Sequence, residues 1–60
     1  MGREATVSYL REEFRMDSQA ARYAVTQAHS TGESRNTRVN ALVTFTADGG
    51  FTVADLPGAR

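Results

Sequence analysis

Few residues in this sequence could do chemistry. His29 is the single histidine, Ser30 and Thr31 follow it directly, and cysteine is absent. A hydroxyl nucleophile needs a base within hydrogen-bond reach and an acid to orient that base. Consecutive residues of a helix point about 100° apart, so His29 and Ser30 do not form such a pair locally. A histidine near the end of a helix is well placed simply to favour the negative end of the helix dipole. Glu12, Glu13 and Asp17 are acidic, but a catalytic carboxylate needs a cleft to shift its pKa. Gly49-Gly50 does not introduce a helix and so does not read as a phosphate loop. A structural zinc would need four Cys or His ligands, and only His29 is present. The expectation is therefore a binding protein, with no catalytic residue, metal, cofactor or small-molecule substrate.

Sixty residues make one domain, 1–60, with residues 1–2 and 58–60 expected to be mobile. Such a chain buries only about 60% of the surface its unfolded form exposes, and its core supplies about 3–5 kcal/mol. Chains of this size usually carry a staple. Without cysteine or zinc, the staple left is a second copy, so a homodimer is expected. No apolar run approaches the ~20 residues that span a bilayer, and Met1-Gly2-Arg3-Glu4-Ala5 lacks the order of a signal peptide. A cytoplasmic protein is expected.

The elements follow from periodicity. Val7, Leu10 and Phe14 share a helical stripe and predict a first helix over about 3–15. Asp17 or Ser18 caps a second helix, about 18–31, whose apolar seam is Ala20, Ala21, Ala24, Val25 and Ala28. Gly32 suits a left-handed C-cap. Glu33 to Thr37 is polar and reads as a loop. From Arg38 the period changes to two: Val39, Ala41, Val43 and Phe45 alternate with Asn40, Leu42, Thr44 and Thr46. Asp48-Gly49-Gly50 is a hairpin turn and Phe51 to Leu56 the return strand. The fold class is α+β: two helices followed by an antiparallel hairpin, about 38–47 and 51–56.

The segment Leu10 to Val25 carries a more specific pattern. Leu10, Phe14 and Met16 place apolar anchors at the middle of the first helix, at its end and in the turn. Asp17-Ser18 caps the second helix, and Ala21, Ala24 and Val25 face inward. Over residues 7–28 this resembles the helix-turn-helix of winged-helix transcription regulators of the GntR type, with the hairpin as the wing. The sequence departs from that motif at two places. Arg11 stands where a small residue is usual, and Arg15 stands where a left-handed glycine is usual.

The resemblance implies DNA binding, in a transcription regulator or in an accessory factor of a phage or mobile element. The second helix would enter the major groove with Ser18, Gln19, Arg22, Tyr23 and Thr26 outward. Arg22 could take guanine O6 and N7, and Gln19 adenine N6 and N7. Arg35 and Arg38 could hold phosphates. Net charge runs against this, since seven arginines are balanced by seven acidic residues, whereas DNA binders usually carry a basic excess. The alternative is a protein-binding module or inhibitor that does not touch nucleic acid. It would act through the outward hairpin face, where Leu42, Thr44, Ala54 and Leu56 make an oligomer or partner interface.

Overall fold

A computed structural model describes residues 1–57. Five elements follow in order: α1 (Arg3–Glu13), α2 (Ser18–Thr31), β1 (Glu33–Asn36), β2 (Ala41–Phe45) and β3 (Phe51–Asp55). The strands form one antiparallel sheet in the order β1-β2-β3. The α+β class holds, with one strand more than the expected hairpin.

The helix boundaries have local causes. Asp17 caps α2, its Oδ1 accepting from the Ala20 N–H at 2.8 Å. Gly32 closes that helix at φ 100°, and its N–H donates to the Ala28 carbonyl. Both ends match the sequence expectation. α1 ends at Glu13, two residues earlier than expected. Phe14 leaves the helix at φ −110°, and Arg15 takes a left-handed φ of 58°. A side chain there costs about 1 kcal/mol relative to glycine. The Met16 N–H returns to the Leu10 carbonyl, so the turn folds its apolar residue back under the helix pair.

Glu33 to Asn36, expected as a loop, is an edge strand. It pairs with β2 in the register Glu33↔Thr44, Ser34↔Val43, Arg35↔Leu42 and Asn36↔Ala41. The tight exit from α2 aims the chain this way, because the Gly32 carbonyl already accepts from the Phe45 N–H. The strand expected from Arg38 starts instead at Ala41. The Asn36 side chain accepts from the Arg38 and Val39 amides, and Asn40 sits at φ 58°, so residues 37–40 make a turn. The β2–β3 register is Ala41↔Asp55 through Phe45↔Phe51, and the Leu56 N–H to Asn40 carbonyl bond extends it by one step.

Both helices cover one face of the sheet: α2 packs on β1 and β2, and α1 on β3. The core between the layers contains Val7, Leu10 and Met16 from the first helix and turn, the small seam of α2, and Ala41, Val43 and Phe51 from the sheet. Thr6 is fully buried, and its hydroxyl donates to the Gly2 carbonyl at 2.6 Å. Met1, in a segment expected to be mobile, is tied to β3. Its amino group donates to the Phe51 carbonyl and its carbonyl accepts the Phe51 N–H at 2.7 Å. Residues 58–60, expected to be mobile, lie outside the described residues. No helix among the described residues is long and apolar enough to cross a membrane.

Candidate functional site

α2 turns its alanine seam inward and thereby fixes what it shows to solvent. Ala21, Ala24, Val25 and Ala28 are buried, while Ser18, Gln19, Arg22, Tyr23 and Thr26 are exposed. Tyr23 is 65% exposed, the most accessible large apolar side chain among the described residues. No acidic residue occurs from Ser18 to Thr31.

These outward residues divide between two flanks. On the α1 side, Arg22 forms a two-pronged, end-on ion pair with Glu4, Nη1 to Oε2 at 3.0 Å and Nη2 to Oε1 at 3.3 Å. Arg3 Nη1 donates to the Thr26 hydroxyl at 3.3 Å. Arg22 holds the Glu4 carboxyl below its ordinary pKa by hydrogen bonding and by charge, and Glu4 raises the guanidinium in turn. Both side chains are well exposed, so the pair adds little to folding.

On the β1 side, a groove of about 340 Å³ runs between the first turns of α2 and the edge strand. Gln19 and Tyr23 line it from the helix, and Arg35 and Asn36 from the strand. Arg35 is ion-paired with Glu33, Nε to Oε2 at 3.1 Å. The strand explains this pair, because residues two apart on a strand share a face. Arg38 is exposed in the β1–β2 turn and has no ion pair among the described residues.

The structure thus gathers Gln19, Tyr23 and Arg35 around one groove and sets Arg22 and Thr26 on the opposite flank. Ser18 lies at the capped end of α2, and Arg38 lies beyond the strand that carries Arg35. The positions of Arg35 and Arg38 are corrected in kind: Arg35, expected in a loop, is on an edge strand, and Arg38, expected to open the first hairpin strand, is in the turn before it. The carboxylates of Glu4 and Glu33 were not foreseen as neighbours. Glu33 would have been visible once β1 was recognised. Glu4 had no local signal, since it lies 18 residues from Arg22 on a different helix.

The second set of candidate residues lies on the sheet face away from the helices. Leu42, Thr44 and Leu56 are half-buried and Ala54 is exposed. The cross-strand pairs Leu42↔Ala54 and Thr44↔Thr52 share this face, and Leu56 continues it opposite Asn40. No described element covers it.

His29 is exposed, and its ring meets that of Phe45 edge-on with centroids 4.8 Å apart. No group of three His, Asp or Glu side chains converges among the described residues to hold a metal ion. In the β2–β3 turn the Asp48 carboxyl accepts from the Thr46 hydroxyl and the Gly50 amide, which holds it below its ordinary pKa. Neither contact forms a converging set of reactive groups.

Comparison of the chain with protein-family models, curated proteins and solved structures finds no match.

Proposed function

We propose that the protein is a small cytoplasmic binding module, without catalytic machinery, that presents α2 to duplex DNA. One observation carries the reading: a helix free of acidic residues shows Gln19, Tyr23 and Thr26 outward between two arginine-bearing flanks. Gln19 and Arg22 read base edges from the N-terminal half of the helix. Arg35, across the groove, and Arg38 contact phosphate. The αL turn at Arg15 supports the reading, because it is the conformation the resembled motif asks of that position.

Glu4 and Glu33 occupy two of the arginines this reading uses. DNA must displace both carboxylates, which makes affinity low and strongly dependent on salt. Fluorescence anisotropy against a random duplex tests this. Binding at low salt that falls steeply as salt rises is expected, and absence of binding at low salt rejects the reading. In a binding protein, Arg22→Ala relaxes sequence preference and costs about 1–3 kcal/mol at one base position, whereas Arg35→Ala weakens all sequences alike. Glu4→Gln releases Arg22 and tightens binding.

A second reading has its own observation, the uncovered sheet face that carries Leu42, Ala54 and Leu56. On that reading the module binds protein through the sheet. Binding to a partner would be insensitive to Arg22→Ala and lost on Leu42→Asp.

A further inference from the structure

We propose that the free edge of β3 pairs with β3 of a second copy, antiparallel, with Ala54 on the two-fold axis. This inference does not depend on the DNA reading.

The backbone determines which groups are available. In an antiparallel pair, alternate residues point their N–H and C=O toward the same neighbour. Gly50 and Leu56 point theirs toward β2, since the Thr46 amide donates to the Gly50 carbonyl and the Leu56 amide to the Asn40 carbonyl. Phe51 points outward, and Met1 takes both of its groups. By alternation Val53 and Asp55 also point outward, and no described residue takes their groups. The edge therefore offers two residues, each with one donor and one acceptor.

Only one self-register satisfies this edge. Centring on Val53 would set Asp55 against the partner's Phe51, whose groups Met1 already holds. Centring on Asp55 would set two carboxylates directly opposite, which is unfavourable, and would pair Val53 with the partner's Pro57, which has no N–H. Centring on Ala54 sets Val53 against the partner's Asp55 and Asp55 against the partner's Val53. All the free groups are then satisfied in four hydrogen bonds. Ala54 meets the partner's Ala54 as a non-hydrogen-bonded pair, the closer kind, for which a small side chain suits. The strand itself ends at Asp55, and the chain turns at Pro57, the residue that would otherwise lie opposite the partner's Phe51, where the partner's Met1 sits.

The side chains agree with this register. On the uncovered face Leu42 is the neighbour of Ala54, and Leu56 lies one step further along the same strand face. Doubling about Ala54 joins these residues with their copies into one apolar stripe across a six-stranded sheet. The other edge carries two charges, Glu33 and Arg35, on the outer face, where they would interrupt such a stripe. The β3 edge carries one, Asp55, on the helix side of the sheet, where it leaves the stripe unbroken. A second copy also supplies the staple that a cysteine-free chain of this length lacks.

Sedimentation equilibrium, circular dichroism and site-directed cross-linking test the proposal together. The wild-type chain is expected at twice its monomer mass in the micromolar range. Asp55→Pro removes one outward N–H at a position where an edge strand tolerates proline, and should give a folded monomer. Ala54→Cys should cross-link under mild oxidation, because the paired Cα atoms lie about 4.5 Å apart, within disulfide reach. Thr52→Cys should not, since its copy lies about 13 Å away along the strand. The chain has no other cysteine to confuse the result. A wild-type monomer, a folded Asp55→Pro dimer, or cross-linking of Thr52→Cys as fast as Ala54→Cys each overturns the proposal. Should Asp55→Pro fail to fold, the contrast between the two cysteine variants decides it.

Discussion

The two faces of the sheet are built from the same three strands and have opposite fates. On the inner face Ser34, Ala41, Val43 and Phe51 are buried beneath the helices. On the outer face Arg35, Thr52 and Ala54 are exposed and Leu42 is half-buried. The alternation of β2 shows the contrast within three residues: Ala41 and Val43 are each 1% exposed, and Leu42 between them points the other way. The inner face fixes the fold, because everything apolar on it is matched by a helix. The outer face has no helix over it among the described residues, and its composition is free of that constraint. Leucine in a position that alternation would give to a polar residue marks that freedom.

The largest effect should come from the inner face. Phe51→Ala removes a ring that is 4% exposed, and costs about 3–5 kcal/mol. A domain of this size has about that much to lose, so the variant should be unfolded at room temperature by circular dichroism. A folded Phe51→Ala would erase the distinction between the faces. Leu42→Ala, on the outer face, should cost under about 1 kcal/mol in urea unfolding of the monomeric Asp55→Pro protein. A loss as large as that of Phe51→Ala would mean that both faces hold the fold.

A third variant tests a residue on neither face. Arg15→Gly relieves a left-handed backbone and should stabilise by about 0.5–1 kcal/mol, read as a shift in the urea midpoint at constant slope. Asn40 has the same φ of 58°, but asparagine tolerates it, so Asn40→Gly should change little.

The smallest effect concerns pH. The folded state depresses the Glu4 pKa, so the stability this pair adds is present above the unfolded value and is lost as pH falls through the folded one. The difference in Tm between wild type and Glu4→Gln should shrink across the acid side of the carboxylate range. A difference independent of pH would assign the effect to something other than the ion pair.

Much of this architecture was legible because its signals are local. α2 has an Asp cap, an alanine seam and a terminal glycine, and its bounds came out to the residue. The inward alternation of Val43, Phe45, Phe51 and Val53 needs only a period of two. β1 was illegible for a physical reason. Glu-Ser-Arg-Asn has neither the β-branched nor the aromatic residues that favour strands. It is extended because Gly32 and Phe45 set its register and α2 covers Ser34, both tertiary causes. The outward residues of α2 were also readable, since a helix with its seam assigned leaves its opposite face determined. Their pairing with Glu4 and Glu33 was not, because an ion pair between separate elements has no sequence period.

The bond between Met1 and Phe51 has a kinetic consequence. Most contacts in this protein join neighbours in the chain: α1 with α2, α2 with β1, and each strand with the next. These can form early, since short loops close at little entropic cost. The packing of α1 on β3, with Met1 clamped to Phe51 across 50 residues of separation, cannot. It has to wait until the last strand exists and the intervening chain is already arranged. During synthesis the first helix therefore leaves the ribosome well before its strand partner, and the part of its apolar stripe that α2 does not cover stays open until β3 follows.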